Sequence, residues 1–333
     1  MNTGAEAVET GLKIARKYAY ERRGVPKNEA VILSACGCFH GRTLHAISMS
    51  CDPEAIENFG PLVPGHAKFR FDDLASLEAQ LKRHQGRVAA VIVEPIQGEA
   101  GVRVPADGYM RRVHSLCKQH GALLIADEVQ TGIARTGKML ACDYDGVKPD
   151  ILLLGKAVSG GLYPVSLVLA EDDVMSVITP GTHGSTFGGN PLACAVAEEA
   201  LRVVRDEGLA ERAFTLGNRL RKSLHGNHGV LLEEVRGKGL LNALVLKTKD
   251  VDRSAWDVCL LMKKRGLLAK TTHGNIIRLA PPLVMTEGEV DECAEIITGA
   301  LRDVVSTPRG EIPGAAPEFR PYKDETCKRC ADL

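Results

Sequence analysis

Residues 123–156 decide the fold, because they hold two short apolar runs, Leu123-Leu-Ile-Ala-Asp127 and Ile151-Leu-Leu-Leu-Gly-Lys156, that each end at a charged residue. Uninterrupted apolar runs of this length are typical of strands that a parallel sheet buries on both faces. Open α/β sheets bind their ligands at the carboxyl ends of the strands. Asp127 and Lys156 are therefore candidate site residues.

The same alternation of apolar runs and amphipathic stretches extends toward the N-terminus. It predicts strands at 30–35, 88–93, 122–126 and 151–154 and helices near 73–85 and 109–120. Strands that alternate with helices in this way indicate an α/β fold, with a mostly parallel sheet flanked by helices.

A mixed pattern follows from about residue 190. It predicts long helices from Pro191 and over 209–224, then strands at 240–246 and 276–279 and helices at 254–265 and 287–304. We therefore predict a large domain over 1–200 and a smaller C-terminal α+β domain over 201–306. Residues 307–333 carry several prolines among charges and no apolar periodicity, and we expect a flexible tail there.

The chain opens on a helix, because Thr3-Gly-Ala-Glu6 is a capping box and apolar residues then recur at helical spacing. Such a capped, glycine-bearing turn usually follows a strand. Only two residues precede this one, so we expect that an upstream segment is missing.

Composition excludes several classes of protein. Lys plus Arg (42) balances Asp plus Glu (42) over 333 residues, and aromatic residues make up 4%, so neither the charge nor the stacking surface of a nucleic-acid-binding protein is present. No apolar run approaches the length of a membrane span. The same charge balance and low aromatic content favour a small-molecule partner. The cysteines are mostly scattered in a chain too large to need disulfides, which favours a reducing, intracellular compartment.

Two apparent motifs fail. Residues 132–138 nearly form a phosphate-binding loop, but Met139 stands where a magnesium-binding hydroxyl is required, so an NTPase is disfavoured. Cys327 and Cys330 lack two further nearby ligands, so no metal site is expected, and their thiols are either redox-active or merely exposed.

Lys156 and Asp127 suit one cofactor chemistry. A partly desolvated lysine can form a Schiff base, and an aspartate one strand away can keep a pyridinium nitrogen protonated, as pyridoxal phosphate (PLP) requires. From spacing alone, a solvated lysine and a capping aspartate explain the pattern at least as well.

Several strings occur in the order seen in class III aminotransferases, and over residues 1 to about 300 the chain resembles that family. Within the class, a second set of strings is most similar to the ornithine aminotransferases. The first set is Asn2-Thr-Gly-Ala-Glu6, Phe39-His-Gly-Arg-Thr43, Glu94-Pro-Ile-Gln-Gly-Glu-Ala-Gly101, Ala126-Asp-Glu-Val-Gln130, Leu154-Gly-Lys-Ala157 and His183-Gly-Ser-Thr-Phe-Gly-Gly-Asn-Pro191; the second is Ser159-Gly-Gly-Leu-Tyr-Pro164, Arg236-Gly-Lys-Gly-Leu-Leu-Asn242 and Ile277-Arg-Leu-Ala-Pro-Pro282.

The resemblance implies the fold type I architecture of PLP-dependent transferases and a set of cofactor contacts. Lys156 would bond the cofactor and carry the proton, and Asp127 would pair with the ring nitrogen. The remaining implied contacts, with the ring oxygen, the ring face and the phosphate, are Gln130, Phe39, Gly4, Ala5, Ser185 and Thr186. Ser185 and Thr186 match residues that reach the phosphate from the neighbouring subunit, which implies a homodimer.

The resemblance also implies transfer of the δ-amino group of L-ornithine to 2-oxoglutarate, giving glutamate 5-semialdehyde and glutamate. Arg278 would bind the α-carboxylate of glutamate, Glu99 would cover that arginine in the ornithine half-reaction, and Arg42 would bind the ornithine carboxylate. Acetylornithine and 4-aminobutyrate aminotransferases share the cofactor motifs and stay open as alternatives, as does an inactive fragment.

Two expectations follow from the rest of the family pattern. The family implies a soluble protein of the cytoplasm or the mitochondrial matrix. Because members carry a sizeable N-terminal segment ahead of the phosphate-binding turn, we expect this chain alone to bind PLP weakly.

Overall fold

The computed structural model describes residues 1–225, 231–247, 253–272, 275–312 and 314. Its first sheet has six strands: β1 (Val31–Ala35), β2 (His66–Phe69), β3 (Val88–Val93), β4 (Leu123–Asp127), β5 (Ile151–Leu154) and β6 (Leu167–Ala170). They lie in the order β2-β1-β3-β4-β5-β6, all parallel except β6, which pairs antiparallel with β5. The predicted mostly parallel sheet is confirmed.

Helices cover this sheet and continue beyond it. They are α1 (Gly4–Glu21), α2 (Leu44–Ser48), α3 (Pro53–Ile56), α4 (Leu74–Arg83), α5 (Tyr109–Gln119), α6 (Asp172–Met175), α7 (Pro191–Asp206), α8 (Leu209–His225), α9 (Ala255–Lys264) and α10 (Glu287–Ser306). The predicted helices over 73–85, 109–120 and 287–304 match α4, α5 and α10 to within two residues at each end.

The sheet buries both of its faces. On one face, Val8 and Leu12 of α1 pack against Ile92, Ile125 and Leu153. The other face is covered by α4 and α5 in a separate apolar cluster. Each fully buried aliphatic side chain contributes about 2 kcal/mol of transfer free energy, so the apolar runs that predicted the strands also stabilise them.

The start of α1 is fixed by a capping box and by β6. Thr3 Oγ1 accepts from Glu6 N at 3.2 Å, while the Glu6 carboxylate accepts from Thr3 N at 2.7 Å, as the sequence predicted. Ser166, directly before β6, donates from its N–H to Met1 O at 2.9 Å and from its hydroxyl to Thr3 O at 2.7 Å. The residues ahead of the helix are thus tied to the end of the sheet.

A second sheet is antiparallel and contains β7 (Leu232–Lys238), β8 (Leu241–Leu246), β9 (Lys270–Thr272) and β10 (Ile276–Leu279), in the order β7-β8-β10-β9. It shares a core with α8, α9 and α10. Residues of α7 instead pack in a cluster with Leu154 and Val158. The proposed boundary near residue 200 falls within α7 and stays a prediction, and most of the expected tail lies outside the described residues.

The described helices were also compared with the requirements of a membrane span. None of them is both long enough and apolar enough to cross a bilayer.

Candidate active site

Lys156 follows β5 after a single glycine, Gly155, and begins a 3₁₀ turn over Lys156–Ser159. Its φ of +42° lies in the left-handed region, which a residue with a Cβ adopts only at a cost of about 1–3 kcal/mol. Strain of this kind concentrates at functional sites, where the surrounding structure imposes it. The fold therefore holds the Lys156 side chain at the carboxyl end of the sheet.

The electrostatic surroundings lower the pKa of the Lys156 amine. Partial burial, which removes water from around the amine, is the largest cause, and the Arg278 cation acts in the same direction. The nearby carboxylates of Asp127 and Glu99 oppose the shift, without cancelling it. The neutral amine, which is the nucleophilic and proton-accepting form, is therefore available at lower pH than for an ordinary lysine.

This shift predicts early modification of Lys156 by an amine-reactive reagent. As pH rises, we expect Lys156 to react before an exposed lysine such as Lys27, because only the neutral amine reacts. Asp127→Asn should advance the Lys156 profile further, since the Asp127 charge raises its pKa. Mass spectrometry after brief labelling over a pH series measures both profiles, and coincident curves for Lys156 and Lys27 would contradict the prediction.

Asp127, the last residue of β4, is buried and is held by two hydrogen bonds. Its Oδ2 lies 2.7 Å from His40 Nδ1, and its Oδ1 accepts from Val129 N at 3.1 Å. Burial by itself lowers the pKa of His40, but the Cys38 sulfur and the Asp127 carboxylate outweigh it and raise the pKa well above its ordinary value. A protonated His40 thus donates to Asp127 and fixes the position of its carboxylate.

Glu94, at the end of β3, completes this buried cluster. Its Oε2 accepts from Phe39 N at 3.0 Å, while its Oε1 is buried without a hydrogen-bond partner within the described part of the chain. Burial raises the pKa of Glu94 to about 8, so the carboxyl carries a proton at neutral pH. His40 and Glu94 were not predicted as site residues, although both lie in the strings that carry the family resemblance. The signals that could have identified them are the position of Glu94 at the end of a strand and that of His40 next to Phe39.

Gln130 carries an unsatisfied buried donor near Arg278. Its Nε2 is buried with no hydrogen-bond partner among the described residues, and its Oε1 lies 3.4 Å from Arg278 Nη1. Gly98 makes this position possible, because a Cβ there would lie 2.6 Å from Gln130 Oε1. A buried donor of this kind is stabilised when a ligand oxygen accepts its hydrogen bond.

The N-terminus of α1 forms an anion-binding corner beside the lysine. The capping box uses the Glu6 N–H and leaves those of Gly4 and Ala5 to a ligand or to water. A Cβ on Gly155 would lie 3.4 Å from Gly4 Cα, so the helix start adjoins the residue before Lys156. Free N–H groups and a positive helix dipole end suit a phosphate.

Phe39 and Arg42 lie on the loop after β1. Phe39 is half-buried, and the Arg42 guanidinium carbon lies 5.6 Å from the centre of its ring. Arg42 is exposed, so its charge can be offered to a substrate carboxylate at small desolvation cost.

Ser185 and Thr186 differ in their surroundings. Ser185 Oγ accepts from Asn2 Nδ2 at 3.0 Å and from Gly188 N at 3.1 Å, which places it beside the residues that precede α1 of the same chain. Thr186 is exposed. The predicted contact of both with a phosphate of a neighbouring subunit stays a prediction.

Arg278 and Glu99 form an ion pair that links the second sheet to the loop after β3. Arg278 lies on β10, and its Nη1 donates to Glu99 Oε1. Burial raises the pKa of Glu99, but the contact with Arg278 outweighs it and holds the pKa below its usual value. Lys270 of β9, which pairs with Arg278 in the sheet register, lies 3.9 Å from Glu99 Oε2 and was not predicted.

Comparison with known proteins agrees with this geometry. The family model "Aminotransferase class-III" matches residues 1–301. The chain belongs to the class-III aminotransferases. It is 56% identical over 313 residues to the ornithine aminotransferase of Emericella nidulans, an alignment that covers 91% of this chain and 69% of that protein.

Solved structures of similar proteins share the fold. The ornithine aminotransferase of Toxoplasma gondii ME49 has a TM-score of 0.89 at 48% identity over 91% of this class-III aminotransferase and 72% of that chain. The acetylornithine aminotransferase of Elizabethkingia anophelis has a TM-score of 0.80 at 51% identity over 91% and 73%. This chain also spans 64% of the rice ornithine aminotransferase, to which it is 55% identical over 90% of its own length.

Class-III aminotransferases use PLP, and the residues of this chain fit it. The unsatisfied Gln130 Nε2 matches a ring oxygen, the Asp127 carboxylate a protonated ring nitrogen, and the N–H groups of Gly4 and Ala5 a phosphate. Lys156 follows Gly155, which adjoins Gly4, and it interacts electrostatically with Asp127 while its pKa is lowered. When bound, PLP supplies an electron sink for the carbon next to the substrate nitrogen.

Proposed function

We propose that this chain transfers the δ-amino group of L-ornithine to 2-oxoglutarate, yielding glutamate 5-semialdehyde and glutamate. The Glu99–Arg278 ion pair beside Lys156 carries the proposal, because it is a carboxylate-binding arginine with a built-in cover. The same pocket can then receive the δ-amino end of ornithine, which has no carboxylate. In the other half-reaction it can receive the end of 2-oxoglutarate or glutamate that carries the α-carboxylate. The similarity to ornithine aminotransferases supports the same activity.

The energetics of the pair suit a reversible cover. Unit charges at 4 Å attract by about 4 kcal/mol at an effective dielectric constant of 20, before desolvation and solvent screening are counted. The side chains are 18% and 21% exposed, so water reduces that value. A substrate carboxylate offers Arg278 an equivalent partner, so Glu99 can be displaced without a large net cost.

Lys156 moves the proton in this scheme. Its lowered pKa lets Nζ accept the proton that leaves the substrate carbon and give it back later in the transfer. Asp127 meanwhile keeps its position through its hydrogen bond with His40. Arg42, exposed beside Phe39, is assigned to the α-carboxylate of ornithine.

Acetylornithine transamination is the second candidate, favoured by the similarity to the Elizabethkingia anophelis enzyme. Specificity constants for ornithine and N-acetylornithine as amino donors to 2-oxoglutarate separate the two. We expect ornithine to be preferred. A preference for acetylornithine would overturn the proposal while leaving the aminotransferase assignment intact.

We also propose that the enzyme is a homodimer. Phe187, next to Thr186, is 67% exposed, and Leu162 of the turn after Lys156 is 83% exposed. Apolar side chains this exposed beside a site favour a protein partner, and a second copy would bring Thr186 to the phosphate, as the family pattern implies.

A charge at this surface should separate the subunits. We expect Phe187→Asp to shift the protein from dimer to monomer in sedimentation velocity and to weaken PLP binding. Phe214→Asp, at an exposed phenylalanine on α8, is the control. A Phe187→Asp variant with unchanged mass and PLP affinity would contradict the proposed interface.

The compartment is assigned only by analogy. The rice relative is named as mitochondrial, and cytoplasm or mitochondrial matrix is our proposal for this chain.

A further inference from the structure

Residues 98–102, called the switch loop below, carry Glu99 on a strained backbone. Gln97 and Arg103 close the loop by exchanging two backbone hydrogen bonds of 3.1 and 3.0 Å. Gly101 has a φ of +92°, and the fully buried Val102 has a φ of +52°. A positive φ is a genuine outlier for a β-branched residue, so surrounding contacts must hold this conformation.

Those contacts come from the second sheet. Arg236 of β7 donates from Nε and Nη2 to Gly101 O, at 3.0 and 2.8 Å. Thr272 of β9 donates from Oγ1 to Glu99 O. The switch loop is thus held at Glu99 and two residues further on, by side chains of the sheet that also carries Arg278.

This arrangement has a consequence for the ion pair. Because Gly101 O and Glu99 O are fixed, the Glu99 backbone cannot follow its carboxylate when a substrate displaces it. Only the side-chain torsions change, and the carboxylate returns to Arg278 once the substrate carboxylate leaves. Without Arg236, relief of the strain at Val102 would let the loop relax and the cover loosen.

We propose that Arg236 is a positioning residue that sets the amino-donor preference by holding the switch loop. The inference rests on the proposed function, because it assigns Glu99 the role of covering Arg278. Two parallel donors on one carbonyl fix its direction as well as its distance. Glu234 lies 2.9 Å from Arg236 Nη1, the nitrogen that does not contact Gly101.

The test compares Arg236→Met with wild type in the PLP-loaded enzyme. The measured quantity is the ratio of kcat/KM for ornithine to kcat/KM for glutamate as amino donor. We expect Arg236→Met to lower this ratio about ten-fold, which is the effect of losing a hydrogen bond to a charged group. Most of the change should come from a higher kcat/KM for glutamate. Thr272→Val should shift it in the same direction, and Arg236→Lys should restore part of it.

A matched control is Glu234→Gln, which removes the ion pair of Arg236 and leaves its contact with Gly101. We expect it to keep the wild-type ratio. If Arg236→Met lowered kcat/KM equally for ornithine and for glutamate, the ratio would not change. That result would mean that the arginine is only structural and would overturn the proposal.

Amide hydrogen exchange of residues 97–103 gives a readout that does not depend on turnover. Arg236→Met should speed exchange there and leave β4 protected, and unchanged exchange would overturn the proposal. If wild type fails to use ornithine, the proposed function fails first and the donor-preference claim with it. The exchange result then still decides whether Arg236 holds the loop.

Discussion

Lys156→Ala is expected to abolish transamination, lowering turnover by at least about 10⁴-fold, since it removes the cofactor anchor and the proton carrier together. The visible absorbance that PLP acquires when it joins a lysine should vanish as well. Turnover of ornithine and absorbance spectra of the PLP-loaded protein measure the two effects. The surface variant Lys148→Ala, at a lysine paired with Glu171, is the control.

Added small amines separate lost chemistry from lost folding. A folded Lys156→Ala protein should regain part of its rate in the presence of a primary amine small enough to occupy the vacated space, whereas a misfolded one should not. Substantial turnover of Lys156→Ala without added amine would remove the role assigned to this lysine.

The second large effect concerns Arg278. Arg278→Ala should weaken the use of 2-oxoglutarate and of glutamate by about 10–100-fold, the loss expected when a charged hydrogen-bonding partner is removed. The ornithine half-reaction should be nearly spared, because Glu99 covers Arg278 there. Stopped-flow measurement of each half-reaction separately gives the two rates.

Glu99→Ala is the reciprocal change. It uncovers Arg278 permanently, so glutamate should compete far better as the amino donor. Arg278→Lys, which keeps the charge but loses the fork of donors, should lie between wild type and Arg278→Ala. Equal damage to both half-reactions by Arg278→Ala would make the arginine structural and remove the switch.

The apolar runs were sufficient to predict the buried part of the fold. Val88–Val93 and Ile151–Leu154 are strands with the predicted bounds, because runs buried on both faces contain no polar residue. The strand at 66–69 was missed since His66 and Lys68 interrupt its apolar pattern. The strand at 232–238 was missed because its charged residues mask the alternation, as expected for an edge position.

The same distinction applies to the site. Lys156 and Asp127 could be predicted because each follows a run that identifies its strand. Their partners could not, since His40 lies 87 positions before Asp127 in the chain and only the packing of two strands brings them together. Arg236 was likewise predicted only as part of a string, because its contact with Gly101 joins β7 to a loop that lies far away in the sequence.

The two sheets bury most of their apolar side chains in separate clusters, and a small third cluster packs Val102 of the switch loop against Leu241 of β8. The site draws Lys156 from the first sheet and Arg278 from the second. Proton transfer and carboxylate recognition therefore rest on two apolar cores, and their alignment depends on the small seam of contacts that joins them. Damage confined to the seam between them would produce a promiscuous catalyst before it produced a dead one. Errors in amino-donor choice are then the earliest sign that this chain is losing its native arrangement.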